Sequence, residues 1–264
     1  MVSNTSIRLV ASLRSGKQRQ KSDLYIVEGD KLVREYLDEG RCVKYLFATP
    51  LFLSSLSGQD VASAGRVTEV TDEELKQISS LTTPNSALAL AEKREGSYNN
   101  SLFAGRLTLV LDNIRDPGNM GTILRLAAWY GIEQVICSPG CVDIYNPKVV
   151  QATMGALLHV TVNYHPLTEV LNDAAAGGTP VVATTLDGKP VYSEQLPASA
   201  LILLGNESRG LSGELVPLVT DMVTIPMFGR GGSGIESLNV ATAAAIIISE
   251  FMRDRQPSQQ HGQP

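Results

Sequence analysis

Apolar and polar positions alternate along this chain in two registers. Between residues 7 and 91, short apolar runs are separated by amphipathic stretches: LYIV, DKLVREYLDEG, CVKYLFAT, RVTEV, TDEELKQISS and SALALAEK. Runs rich in Val, Tyr and Ile predict strands. DKLVREYL, opened by Asp30 and closed by Gly40, predicts a capped helix. The stretch EKREGSYNNSLFAGR that follows is polar and aperiodic and predicts a linker, bounded at residues 96–106 after a first domain of residues 1–95. From Leu107 the alternation is stricter: LTLVLDN, GNMGTILRLAAWYG, EQVIC, PKVVQATMGAL, LHVTV, TEVLNDAAAGG, PVVATTL, ALILLG, GELVPLV, MVTIPM and ESLNVATAAAIIISEFMRDR. Near-continuous apolar strands alternating with helices predict an α/β fold with a parallel sheet covered on both faces, in a second domain of residues 107–254. Residues 255–264, which include QPSQQHGQP, lack core-forming side chains and predict a flexible tail.

Composition narrows the class. At 264 residues, with 43% hydrophobic and 19% charged residues, the chain is globular. No apolar run reaches the roughly 18 residues needed to span a bilayer, and the leading segment lacks the apolar core of a signal peptide, so a cytoplasmic protein without membrane association is expected. Three cysteines, Cys42, Cys137 and Cys141, cannot all pair, and reduced thiols are expected. The net charge of −5 argues against a generic nucleic-acid coat. Yet Arg8, Arg14, Lys17, Arg19 and Lys21 all precede the first acid, Asp23, giving a locally basic segment suited either to RNA or to a solvated helix face.

Three loops after strands of the second domain concentrate Gly, Asn, Glu and Arg where ligands of parallel sheets bind: DNIRDPGNMGTILR, GNESRGLS and PMFGRGGSGIESLNV. In the first, Pro117 and Gly118 force a turn, Asn119 can cap the next helix, and Arg125 offers a planar fork suited to phosphate. In the second, Gly205 allows close backbone approach, with Asn206 and Glu207 at the strand end. In the third, Gly229, Gly231 and Gly234 formally match G-x-G-x-x-G, but no later strand follows to carry a ribose-binding acid, which disfavours a dinucleotide site. His261 falls in the tail, His159 and His165 flank a strand without a neighbouring Cys or acid at ligand spacing, and Cys137 and Cys141 have no second pair, so no metal is expected. A Walker loop and a G-x-S-x-G elbow are both missing.

Taken in order, DNIRDPGNMGTILRLA, NPKVVQATMGAL, LLGNESRGL and IPM…ESLNVATAAAI resemble the motifs of the SpoU-type (TrmH-like) RNA ribose 2′-O-methyltransferases of the SPOUT superfamily. The first domain, through LRSGKQRQKSDLYIVEGDKLVREYL, resembles that family's small α/β ribosomal-protein-like RNA-binding domain. The resemblance implies a C-terminal trefoil knot, an S-adenosylmethionine site within it and a homodimer. It implies that Thr184, Leu204, Gly205, Ile225, Met227 and Leu238 surround the cofactor. Asn119, Arg125, Glu207, Ser237 and Asn239 then occupy the polar catalytic positions, and Arg8, Arg14, Lys17, Arg19, Lys21 and Lys31 face RNA. Methyl transfer needs an oxygen in line with the methyl group and a route for the 2′-hydroxyl proton. Arg125 is expected to bind the adjacent phosphate and orient or help deprotonate the hydroxyl, with Ser237 and Asn239 positioning it.

Two departures from the family pattern stand out: the third loop, GRGGSGIES, is long, and Gln151 sits where a basic residue is common. The implied reaction is 2′-O-methylation of structured RNA, with large-subunit rRNA the first expectation and tRNA the second. A non-catalytic RNA-binding or ribosome-assembly protein on the same fold is the alternative.

Overall fold

A computed structural model of the chain describes residues 2–94, 96–229 and 237–255. Gly231 and Gly234 of the third loop, and residues 256–264 of the expected tail, lie outside the described residues. The elements in order are α1 (Asn4–Ser12), α2 (Gly16–Ser22), β1 (Leu24–Glu28), α3 (Asp30–Asp38), β2 (Val43–Ala48), α4 (Pro50–Ser54), α5 (Gly58–Ser63), β3 (Arg66–Glu69), α6 (Asp72–Ile78) and β4 (Ala87–Glu92). They continue with β5 (Leu107–Leu111), α7 (Pro117–Trp129), β6 (Gln134–Cys137), α8 (Pro147–Thr153), β7 (Thr161–Tyr164), α9 (Leu167–Ala176), β8 (Val181–Pro190), β9 (Ala200–Leu204), β10 (Asp221–Thr224) and α10 (Val240–Met252). Two compact units form. The first joins Met1–Ser97 with Arg115–Arg125 and Val142–Val162; the second joins Tyr98–Ile114, Leu126–Cys141 and Asn163–Pro264.

In the first unit, a four-stranded sheet of order β1-β4-β2-β3 has antiparallel β1/β4 and β2/β4 pairs and a parallel β2/β3 pair. Its helices start on local chemistry. Thr49 caps α4 ahead of Pro50, and reciprocal capping boxes, Ser57 with Asp60 and Thr71 with Glu74, open α5 and α6. In α3 the buried positions Leu32, Val33, Tyr36 and Leu37 share one face, as DKLVREYL predicts. Val10, Leu13, Ile26, Phe47, Leu75, Leu88 and Leu90 form the core. Helix α8, opened by the Asn146 side chain and Pro147, packs on β1 within this unit.

In the second unit, a six-stranded sheet has the order β10-β8-β9-β5-β6-β7, and the β10/β8, β8/β9, β9/β5 and β5/β6 pairs are parallel. Every residue of β5 (LTLVL) and of β9 (ALILL) is buried, the signature of a strand covered on both faces. Two apolar runs contribute little or nothing to the sheet. Within LHVTV only the last two residues join β7, since Ala156–Leu158 closes a 3-10 turn. GELVPLV holds a 3-10 turn at Val216–Leu218, where Pro217 lacks the N–H a ladder needs.

Candidate active site

Strand order fixes where the polar loops emerge. Leu111 and Leu204, the last residues of β5 and β9, pair in register, so the loops that follow leave side by side at the carboxyl edge. Buried Asp112 accepts from Ser212 N–H at 2.7 Å through Oδ2 and from Asn113 Nδ2 at 2.7 Å through Oδ1. Asn113 adopts a left-handed φ of 56°, which Asn tolerates, and its N–H donates to Ser138 Oγ at 2.9 Å. Its carbonyl accepts from Asn206 Nδ2 at 2.9 Å. Asn206 Oδ1 in turn accepts from the Ser208 and Arg209 N–H groups at 3.0 and 3.1 Å, and residues 206 and 210 exchange two backbone hydrogen bonds at 2.9 Å. The Glu207 turn is thus cross-braced to the end of β5. Of this brace of Asp112, Asn113, Asn206 and Ser212, the sequence marks Asn206 at its strand end and the D-N pair directly after an all-apolar strand, but not the hydrogen bonds that join them.

Beside the brace, within the second unit, lies a cavity of about 620 Å³ walled by Thr184, Gly205, Glu207, Arg209, Ile225, Ser237 and Leu238, among others. A break in the ladder builds it. Met222 pairs with Ala183 but Val223 pairs with Lys189, so residues 184–188 of β8 bulge out of the ladder with β10, and Thr184, Thr185, Leu186 and Asp187 become wall. Gly188 permits the return, since a Cβ there would come within 2.5 Å of the Val223 backbone. Gly205 is equally required: its Cβ would meet Gly210 carbonyl atoms at 2.7 Å. Of the other residues expected around a cofactor, Leu204 is buried with its carbonyl accepting Asp112 N–H at 2.9 Å, and Met227 is exposed beyond the end of β10. Size, apolar walls and a few convergent polar groups suit a drug-sized ligand. The buried Thr185 Oγ1, without a hydrogen-bond partner among the described residues, adds an orphaned polar atom to the wall.

Ser237 is exposed on the cavity wall, and Asn239 opens α10, its Oδ1 accepting from the Ala241 and Thr242 N–H groups at 3.0 and 3.3 Å. Asn239 therefore has a capping role that the motif alone did not reveal.

In the first unit, Arg125 is exposed on α7. Asn119 does not cap that helix as expected: Asp116 Oδ1 accepts the Asn119 N–H at 2.8 Å, so the cap is Asp116 and Asn119 sits inside the first turn. Gly121 faces Ala152 of α8 so closely that a Cβ would collide with it.

The basic leading segment divides. Arg8, Lys17, Lys21 and Lys31 are exposed, and Arg14 donates to the Ser79 carbonyl at 3.1 Å while remaining exposed. Arg19 corrects the expectation of an RNA-facing side chain. It is only 3% exposed, and its guanidinium donates to Asp143 Oδ2 at 2.6 and 2.9 Å and to the Leu13 and Arg14 carbonyls at 2.9 and 3.0 Å. Its donors hold the fold together.

The cysteines are free thiols. Hydrogen bonding from Cys137, aided by Ser138 and the Ile114 N–H, lowers the part-buried Cys141 to about 7 against its burial, while Cys137 is pushed up by the same contact and by burial. His159 and His165 each face one carboxylate, Glu35 at 3.5 Å and Glu169 at 3.6 Å. Among the described residues, no cluster of three or more His, Cys, Asp or Glu could hold a metal ion, and no helix is long and apolar enough to cross a membrane.

Comparison with known proteins matches residues 106–249 to the model of the SpoU rRNA Methylase family and residues 4–89 to that of the MRM3-like substrate binding domain. The chain is 27% identical to the 23S rRNA (guanosine(2553)-2′-O)-methyltransferase RlmP of Bacillus subtilis, over 93% of this chain and 95% of that protein. A solved TrmH-family protein of Porphyromonas gingivalis is 38% identical, with a TM-score of 0.85 over 96% of this chain and 99% of the other. An AdoMet-bound rRNA methyltransferase of Sinorhizobium meliloti is 28% identical, with a TM-score of 0.86 over 97% and 98% of the two chains.

Proposed function

Because the chain belongs to the SpoU rRNA Methylase family, we propose that it transfers a methyl group from S-adenosylmethionine to a ribose 2′-hydroxyl of large-subunit ribosomal RNA. The observation that carries this reading is the 620 Å³ cavity at the carboxyl edge, walled in part by Thr184, Gly205, Ile225 and Leu238, four of the six residues that the family motifs mark for the cofactor. Gly205 brings backbone against the ligand there, and Thr184, Ile225 and Leu238 supply the surrounding wall. S-adenosylmethionine held there would supply an electrophilic methyl group for the ribose 2′-oxygen, with its thioether as the leaving group.

The side chains hold and orient the other reactant. Ser237, exposed at the cavity, accepts or donates a hydrogen bond to the incoming hydroxyl. Arg125 holds the phosphate next to the target ribose, a task suited to its five-donor fork, and fixes the hydroxyl's approach. Glu207 is held by the Asn206 turn at the cavity wall, and Asn119 and Asn239 complete the polar set of the motifs. The remaining parts of the reading are architectural. Residues 1–95 form an RNA-binding domain presenting Arg8, Arg14, Lys17, Lys21 and Lys31; residues 107–254 form the catalytic domain, threaded at its C-terminal end as a trefoil knot and paired as a homodimer; the protein acts on RNA in the cytoplasm.

The test is calorimetric titration with S-adenosylmethionine, followed by methyl transfer to total RNA and mapping of 2′-O-methyl sites. A new site in large-subunit rRNA is expected, and Arg125→Ala should lower the single-turnover rate by about 10²–10⁴-fold with cofactor affinity kept. A methyl group in tRNA would replace the substrate. A folded protein that does not bind S-adenosylmethionine would overturn the enzyme reading in favour of an RNA-binding protein.

A further inference from the structure

We infer that Tyr192 and Phe228 form a stacking platform for an unpaired nucleobase of the RNA substrate, beside the cofactor cavity. The inference rests on the methyltransferase reading, and it starts from an exposed aromatic pair. Phe228 is 86% exposed and Tyr192 42%, yet their rings lie 6.4 Å apart between centroids and within 27° of parallel.

Strand register puts them together. Thr224, the last residue of β10, pairs in parallel with Pro190, the last of β8. Tyr192 follows Pro190 by two positions, in a 3-10 turn anchored by buried Val191, and Phe228 follows Thr224 by four, after Pro226 has limited the backbone. Both rings therefore emerge at the carboxyl edge, from the strands whose broken ladder builds the cavity. Exposed Arg209 lines the same cavity and supplies positive charge for a sugar-phosphate chain.

The chemistry favours a base as occupant. In a regular A-form duplex the base faces are stacked away, and sequence-specific RNA readers work mainly on splayed, unpaired nucleotides stacked on aromatic rings. Unstacking a base costs a few kcal/mol, and stacking on an aromatic side chain returns much of that for any base, since each has a π-face. A platform beside the methyl donor would hold a base of the target strand out of its stack while its ribose lies over the cavity.

The test uses the full chain, a 12-nucleotide unstructured RNA carrying 2-aminopurine, and S-adenosylmethionine. Phe228→Ala should weaken RNA binding by about 5- to 100-fold and reduce 2-aminopurine quenching, Tyr192→Ala less so, with cofactor affinity by calorimetry unchanged within about twofold. Phe228→Trp should restore binding. RNA affinity unchanged in both alanine variants, with wild-type cofactor and RNA binding intact, would overturn the platform and leave the enzyme reading standing. A shift in sedimentation on either substitution would overturn it in favour of a seam between two copies. Wild-type protein that does not bind S-adenosylmethionine would instead overturn the reading beneath it.

Discussion

The basic leading segment and the carboxyl edge of the six-stranded sheet are both rich in polar residues, but they use them differently. In the leading segment the side chains are long and their backbone is ordinary helix, so one cation can be buried while its neighbours point to solvent: Arg19 is sealed against Asp143 while Lys17 and Lys21 are exposed. At the carboxyl edge the polar residues are short, and backbone groups dictate their positions. Asp112, Asn113 and Asn206 fill donors and acceptors that two adjacent strand ends leave open. Charge counted along a chain marks a surface without telling which charges reach it. Glycines and amides at the ends of buried strands leave the backbone far fewer alternatives.

The sharpest break of that contrast is Gly205→Ala. The new methyl group would meet the Gly210 backbone at 2.7 Å and Leu211 Cδ2 at 3.0 Å, so the turn carrying Glu207 must move. Affinity for S-adenosylmethionine, measured by calorimetry, is expected to fall, and the single-turnover rate of methyl transfer to fall about 100-fold, the scale of loss for a displacement near 1 Å at an oriented site. Gly210→Ala is the control. That glycine has a φ of +65° with open space around its would-be Cβ, so it should lose only about 1 kcal/mol of stability. Equal cofactor binding by Gly205→Ala and wild type would show that the turn does not shape the cavity.

Within the leading segment, Arg19→Ala should destabilise the protein by about 3 kcal/mol in urea unfolding, at the low end for a broken buried ion pair because Asp143 stays partly solvated. The salt dependence of RNA binding should not change. A loss of RNA affinity at unaltered stability would return Arg19 to the RNA-facing group.

How much could be read in advance follows the same division. Buried strands such as LTLVL and ALILL were legible because covered strands need unbroken apolar runs, and the order of the polar loops followed from their place after those strands. The cap of α7 was misplaced by three residues, because Asp116 and Asn119 are both competent caps and only the start of the helix decides between them. The family resemblance points to Thr184, Gly205, Ile225 and Leu238 of the cavity wall, but its local cause is not legible: β8 pairs with β10 at Ala183 and next at Lys189, and PVVATTL carries no mark of that break. Nor could charge pattern separate Arg19 from Lys21, since its burial depends on an acid 124 positions away in sequence.

The smallest expected effect tests the exposed half of the leading segment. Lys17 opens the first turn of α2 and Lys21 closes its last, where its charge favours the helix dipole, so Lys21→Ala alone should cost no more than about 0.5 kcal/mol in stability. If both lysines touch phosphate, each contact releases condensed counterion. The slope of log affinity against log salt should then flatten by about 0.7 per lysine for single-stranded RNA. A double Lys17→Ala, Lys21→Ala variant would thus show a slope shallower by about 1.4, with cofactor affinity and the rate at saturating RNA unchanged. Lys44, equally exposed but held by Glu92 at 2.8 Å, is the matched control, since its charge is already answered within the protein. An identical salt slope in wild type and the double variant would make these lysines a solvated helix face and move the RNA contacts elsewhere.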